Sequence, residues 1–307
     1  MTAHTPSSPL AHEQHGKPLP SLASGLVRAI RPRQWVKNVL VLAAPMAAGV
    51  VGQPSVLLAT LVAFVSFSLA ASGVYLINDA RDVEADRAHP VKRYRPIAAG
   101  VLPVRLAYAV AVFLLLAALG LALLATWQLV AVTVVYEVVQ LTYCFGLKHQ
   151  PVLDICIVAS GFLLRGIAGG AAANIALSQW FLLVAAFGSL FMVSGKRYAE
   201  LQLAERTGAK IRRSLESYTS SYLRFVWTLS ASAVVIAYCL WAFELNAKSG
   251  STWSVISMVP FIIAVLRYAV DVDGGVAGEP EDIALADRVL QLLAATWLVT
   301  LAISVYL

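Results

Sequence analysis

The chain reads as an all-α integral membrane protein of about nine transmembrane helices around a central cavity open to the cytoplasm. Three observations predict the helical membrane class; polar stripes and charge asymmetry add the cavity and its cytoplasmic side. Only 13% of its 307 residues are charged, against about a quarter in soluble domains, and the mean hydropathy is +0.75. Apolar runs of about 20 residues, enough to cross a hydrocarbon core as a helix, recur along its length. The alternating pattern of a membrane barrel is missing.

Residues 1–27, rich in Pro, Ser and His without apolar periodicity, are expected to be a disordered cytoplasmic tail. The apolar stretch begins only after Trp35-Val36-Lys37-Asn38, too late for a cleavable signal peptide. Residues 28–307 are expected to form one transmembrane catalytic domain. Its spans fall near 39–53, 55–77, 104–125, 127–147, 152–171, 177–195, 219–243, 252–270 and 286–307. The first is the weakest, because Gly49, Gly52 and Pro54 interrupt it.

The net charge of +6 is explained by topology rather than by nucleic acid. With the N-terminus in the cytoplasm, loops 78–103, 148–151, 196–218 and 271–285 lie inside; the first three, together with the N-terminal segment, carry most of the Lys and Arg, and the opposite loops offer only Lys248. That asymmetry is the positive-inside pattern of a multi-pass protein of the plasma membrane. Cys144, Cys156 and Cys239 fall in or beside spans without metal-binding spacing, as small packing residues.

The second span runs into Asn78-Asp79-Ala80-Arg81-Asp82-Val83-Glu84-Ala85-Asp86, with Pro90 as helix breaker. On a continuous helix Asn78, Asp79, Asp82 and Asp86 share a face, and Glu84 points elsewhere. Stacked carboxylates repel, so a cation should sit against them. Mg²⁺ suits the set, since it takes one or two carboxylates, waters and substrate phosphates. The plainer alternative is a solvated helix end neutralised by Arg81, Arg87, Lys92 and Arg93. The face chosen, which continues the polar stripe Ser68, Ser72, Tyr75, favours the metal. Lys92, Arg93 and Arg95 then stand ready for the outer oxygens of a diphosphate, although a patch for anionic lipid accounts for them too.

Further polar residues lie where they are costly. Glu137, Gln140, Tyr143, Cys144 and Lys148 form one stripe; Asp154 and Arg165 lie on about one face of the next span. They are read as cavity walls, with Glu137 and Arg165 a candidate ion pair, structural or functional. The loop after span six is basic, with Lys196, Arg197, Arg206, Lys210, Arg212, Arg213 and Arg224. Near the start, Arg31, Arg33 and Lys37 flank Trp35, a grouping that interfacial anchoring explains. A hydrolytic triad, a P-loop, a dinucleotide fingerprint and a zinc spacing are all missing.

Asn78, Asp79, Asp82 and Asp86 in an NDxxDxxxD pattern, followed by "HPVKRYRPIAAG", and the segment "YCFGLKHQPVLDICIVASGFLLRGIAGG" resemble the intramembrane prenyltransferase superfamily called UbiA-type over residues 28–307. Most members resembling this chain carry a second aspartate motif after span six. Here that position reads Lys196-Arg197-Tyr198-Ala199-Glu200, which is similar to the branch that transfers phosphoribosyl to decaprenyl phosphate for cell-wall arabinan precursors. The resemblance implies Mg²⁺ on Asn78, Asp79, Asp82 and Asp86, with the three aspartates catalytic. It implies phosphoribosyl pyrophosphate and polyprenyl phosphate as substrates, bound by Lys37, Lys92, Arg93, Arg95, Tyr143, Lys148, Asp154, Arg165, Lys196, Arg197, Tyr198 and Glu200. Oligomers are compatible with this reading. The rivals are transfer from a prenyl diphosphate to an aromatic acceptor, whose second aspartate motif is missing, and a transporter, expected to carry a midplane site with broken helices.

Overall fold

The computed structural model describes residues 21–208, 215–274, 283 and 286–307. Every regular element among them is helical. Residues 1–20 of the expected tail, and Lys210, Arg212 and Arg213 of the basic loop, lie outside the described residues. Residues 22–27, expected within the tail, instead belong to helix α1 (Leu22–Ala29), capped by the Ser21 side chain, which accepts from the Ser24 N–H. A 3-10 segment, Pro32–Leu42, and the short α2 (Ala43–Ala47) follow.

Eight helices among the described residues are long and apolar enough to cross a membrane. They are α3 (Pro54–Arg81), α5 (Val104–Ala122), α6 (Trp127–Cys144), α7 (Leu153–Ala172), α8 (Gln179–Thr207), α9 (Ser220–Ser249), α10–α11 (Trp253–Ile256 and Met258–Asp273) and α12 (Arg288–Tyr306). Between α3 and α5 lies a short α4 (Val83–Ala88). Local chemistry sets the boundaries. Pro54 sits in the first turn of α3. Thr126, Ser178, Thr219 and Asp287 cap α6, α8, α9 and α12 through their side chains.

The first expected span differs from the rest. Residues 32–47 form the 3-10 segment and α2, and the chain turns at Gly49 with φ +72°. Packing rather than hydropathy decides this. The segment lies against α3 and α7, so closely that a Cβ at Gly169 would stand 1.7 Å from the Val41 carbonyl oxygen. Small residues permit such approach between membrane elements. Asn38 completes the seam: its amide donates to Ser68 Oγ at 2.9 Å, and its oxygen accepts from Arg165 Nε at 2.6 Å.

Helices α3 and α7 are the most deeply enclosed of the set, and α5 and α12 among the least. Helix α5 packs along α3, α6 against α7, and α8 between α7 and α9. A Cβ at Gly73 of α3 would meet the Leu115 side chain of α5 at 2.9 Å, and Ser66 donates to the Ala118 carbonyl at 2.7 Å. The consequence for function is simple. Helix α3 is packed between its neighbours, and segments carrying Arg31, Arg95 and Lys148 converge on its C-terminal end.

Candidate active site

Helix α3 ends at Arg81, and Asp82 has φ −89°, ψ +10°, outside the helical well. The expected continuous helix to Pro90 is therefore broken, and α4 begins after it. This break divides the carboxylates. Asp79 and Asp86 turn to one cation, Asp82 to another.

Arg95 sits where the first pair converges: its Nη1 lies 3.0 Å from Asp79 Oδ1 and 2.8 Å from Asp86 Oδ2. Its position is fixed from both sides. Upstream, His89 Nδ1 accepts the backbone N–H groups of Val91 and Lys92, forming the turn. Downstream, Ile97 is buried among α3 and α5 residues. Asp79 is only 3% exposed, and a carboxylate there needs charged partners.

The second partner of Asp79 is Arg31, whose Nη2 reaches both carboxylate oxygens at 2.7 and 2.6 Å. Arg31 precedes Pro32, which disfavours the α region for it, and it takes the left-handed φ +53°, ψ +61°. That conformation costs roughly 1–2 kcal/mol. The ion pair and the Tyr75 ring, 4.6 Å beneath the guanidinium, offset it.

Lys148 closes the third contact, with Nζ 2.5 and 2.7 Å from the oxygens of Asp82. It stands on a 3-10 turn, Leu147–His149, entered through Gly146 at φ +148°, a region that glycine adopts readily. Arg81 turns away and covers the Phe145 ring.

Of the sequence expectation, Asp79 and Asp86 thus share Arg95, and Asp82 pairs separately with Lys148; Arg31, which had been read as an interfacial anchor, joins Asp79. Arg31 lies 48 residues before Asp79, and no local spacing links them. The remaining expected residues fall elsewhere. Asn78 is half-buried, and its backbone oxygen accepts from Asp82 N–H. Lys92 and Arg93 stay on their own turn, Arg93 on Tyr94. Lys37 and Tyr143 are half-buried and partnered.

The Glu137–Arg165 pair does not form. Arg165, 6% exposed, bonds Asn38, the Gly161 carbonyl and the Tyr136 hydroxyl, while Glu137 Oε1 has no hydrogen-bond partner among the described residues. Neutral oxygens close at hand satisfy the guanidinium, so it serves the seam between α7 and the 3-10 segment. Asp154, 1% exposed, pairs with the Tyr218 hydroxyl. On α8, Arg197 is buried and 3.5 Å from Glu200. Lys196 is half-buried and partnered. The buried Tyr198 takes Asp273, Gln202 and Arg224 around its hydroxyl, tying α8 to α9 and α11.

No group of three His, Cys, Asp or Glu side chains among the described residues forms a cage of its own. Mg²⁺ does not require one, because it keeps waters and binds substrate phosphates beside one or two carboxylates. The convergence of Asp79 and Asp86 oxygens on a single positive nitrogen is compatible with a hard cation there. Arg31 and Arg95 stand beside Asp79 and Asp86, and Lys148 beside Asp82.

A model of the UbiA prenyltransferase family matches residues 38–286. A decaprenyl-phosphate phosphoribosyltransferase of Mycobacterium tuberculosis is 66% identical over 293 residues, 94% of this chain and 97% of its own length. One from Corynebacterium glutamicum is 56% identical over 313 residues, 100% of this chain and 94% of its own. The structure of a UbiA homolog from Archaeoglobus fulgidus bound to DMAPP and Mg²⁺ shares the fold, with TM-score 0.71 at 16% identity over 92% of this chain and 99% of that one. With its helices, its aspartate-bearing end of α3 and its relatives in agreement, this chain belongs to the UbiA prenyltransferase family.

Proposed function

We propose that the protein transfers the 5-phosphoribosyl group of phosphoribosyl pyrophosphate to a polyprenyl phosphate, decaprenyl phosphate by analogy with its relatives, and releases pyrophosphate. The observation that carries this reading is the asymmetry of the charged mouth. One acidic cluster, Asp79, Asp82 and Asp86, is interleaved with Arg31, Arg95 and Lys148, and the position of a second acidic motif holds Lys196-Arg197. One diphosphate and two phosphomonoesters have to be held, and cations suit the latter without metal.

Asp79, Asp82 and Asp86, with Asn78 beside them, would hold Mg²⁺. When bound, the ion neutralises charge building on the departing pyrophosphate. The protein's own groups do the rest. Released from the carboxylates, Arg31 and Arg95 fork onto the diphosphate oxygens, Lys148 adds its single ammonium, and all three accompany the leaving group. The C1–oxygen bond to pyrophosphate breaks with its electron pair leaving on pyrophosphate, and an oxygen of the lipid phosphate bonds C1 from the opposite face. That nucleophile is already ionised, so no general base is required. Lys37, Lys92, Arg93, Tyr143, Lys196, Arg197, Tyr198 and Glu200 are proposed to surround the remaining phosphates and the ribose. We place the mouth and the N-terminus on the cytoplasmic side of the plasma membrane, where the basic loops belong, with residues 28–307 as one catalytic unit and no role for nucleic acid.

The test uses purified protein, polyprenyl phosphate, Mg²⁺ and phosphoribosyl pyrophosphate labelled in the ribose. Label passing into the organic phase, abolished by EDTA, supports the reading. No label, with product instead from a prenyl diphosphate and 4-hydroxybenzoate, returns the protein to aromatic prenyl transfer.

A further inference from the structure

The connection between α6 and α7 contains a strained reversal. Leu153 N–H donates to the Pro151 carbonyl at 2.8 Å, and the residue between them, Val152, has φ +69°, ψ −50°. This is the γ-turn of the rarer hand, and a β-branched residue at positive φ is an outlier, costing on the order of 1–3 kcal/mol. Such a conformation persists only where its surroundings impose it.

One side chain does so. The Tyr218 hydroxyl accepts the Val152 N–H at 2.6 Å and donates to Asp154 Oδ1. Burial first, then the Asp154 bond, raises the Tyr218 pKa and keeps that hydroxyl a donor. The ring is buried with Leu215, Leu223 and Ile155 and stacks on Tyr222 at 5.8 Å. Asp154 Oδ2 is buried without a partner among the described residues, so the Tyr218 bond is what satisfies this carboxylate. Four residues before the turn stands Lys148, bound to Asp82. The clip therefore sits on the short segment that aims Lys148 at the carboxylates, yet Tyr218 belongs to the connector between α8 and α9, 66 residues away.

We propose that Tyr218 is a positioning residue of the reaction: by holding the Val152 turn against Asp154, it fixes the 147–153 segment that presents Lys148 to the diphosphate. This rests on the phosphoribosyl-transfer reading for its kinetic consequence, but not for its structural one. A merely structural tyrosine would affect both substrates alike. A positioning one acts on the substrate that Lys148 meets.

Two measurements on the full-length protein in detergent test it. Hydrogen exchange of peptides covering 145–154, without substrate, is expected to accelerate in Tyr218→Phe, which keeps the ring and removes only the hydroxyl. In the ribose-transfer assay, the same variant is expected to raise KM for phosphoribosyl pyrophosphate roughly ten-fold, the scale of a lost buried hydrogen bond, with KM for polyprenyl phosphate within two-fold of wild type. Adding Val152→Gly, which accepts φ +69° without strain, should recover most of that loss. Unchanged exchange, an equal rise in both KM values, or no recovery by Val152→Gly overturns the proposal. If wild type transfers no ribose label, the phosphoribosyl reading fails, while the exchange comparison still decides whether Tyr218 holds the turn.

Discussion

Arg31 and Asp79 meet at 2.6 Å across 48 residues of sequence, one from the residue preceding the 3-10 segment and the other from the last turn of α3. The pair locks the start of the domain onto the acidic helix end, and the guanidinium rests on Tyr75. Arg31→Ala is expected to raise KM for phosphoribosyl pyrophosphate and lower kcat/KM roughly 10²-fold, the scale of a lost charge-assisted contact to a developing anion. Arg31→Lys should recover only part, since an ammonium has no fork. Steady-state kinetics with both variants settles it; wild-type values in Arg31→Lys would make the residue a simple anchor.

Lys148 should behave differently, because its ion-pair partner among the described residues is Asp82. Lys148→Ala leaves Asp82, 30% exposed in its side chain, without its cation. The expected result is a loss of roughly 10²-fold or more in kcat/KM, with thermal stability little changed, because a partly exposed ion pair contributes about 1 kcal/mol or less. Parallel melting and kinetic measurements distinguish this from a folding defect.

Asp79→Asn and Asp86→Asn address the metal. Each preserves shape while weakening a hard anionic donor, and each neutralises one of the two side chains that converge on Arg95. Both should shift the Mg²⁺ concentration for half-maximal rate upward, roughly ten-fold or more, and the shift should exceed that in Glu84→Gln. Glu84 pairs on the surface with Arg87. A Mg²⁺ titration showing the same midpoint in all three variants would falsify the proposed metal role.

The acidic helix end was legible in the sequence because its information is local: carboxylates at helical spacing, a polar stripe leading to them and a proline beyond. Eight spans were legible for the same reason, since hydropathy over about 20 residues needs no tertiary knowledge. The illegible parts all depend on distant partners. Nothing near Asp82 announces the break in the helix, nor its pairing with Lys148, 66 residues on. The apolar composition of residues 39–53 suggested a span, but close backbone approach at Gly169 and the Asn38 bridge to Arg165 hold residues 32–47 as a 3-10 segment and short helix. Glu137 and Arg165 looked complementary, yet the Asn38 oxygen and Tyr136 hydroxyl stood nearer. Tyr218 carried no motif at all.

Gly169 offers a stability test of that seam. A methyl there would overlap the Val41 carbonyl at 1.7 Å and the Val41 Cα at 3.1 Å, and backbone cannot rotate aside as a side chain can. Gly169→Ala should destabilise by about 1–3 kcal/mol or more, displacing the segment that begins beside Arg31. A lower melting temperature in detergent together with a raised KM for phosphoribosyl pyrophosphate is expected. An unaltered melting temperature means the 3-10 segment is not seated as described.

Asp287 gives a pH-dependent prediction at the start of α12. Its carboxylate accepts from Arg267 Nε at 2.5 Å and from the Val289 and Leu290 N–H groups. Arg267 first, with the two cap bonds, holds its pKa below the ordinary carboxylate value. A group with a lowered folded pKa favours the folded state above its unfolded value, near about 4, and loses that contribution as pH falls through the folded value. Asp287→Asn should therefore melt below wild type at pH 7, and the gap should narrow as the buffer is taken from about pH 4 downward. Because the Arg267–Asp287 pair is partly exposed, with side chains 40% and 11% accessible, the gap at pH 7 should also shrink at high ionic strength. A difference independent of both pH and salt would assign the effect to side-chain packing instead of to the ionised cap.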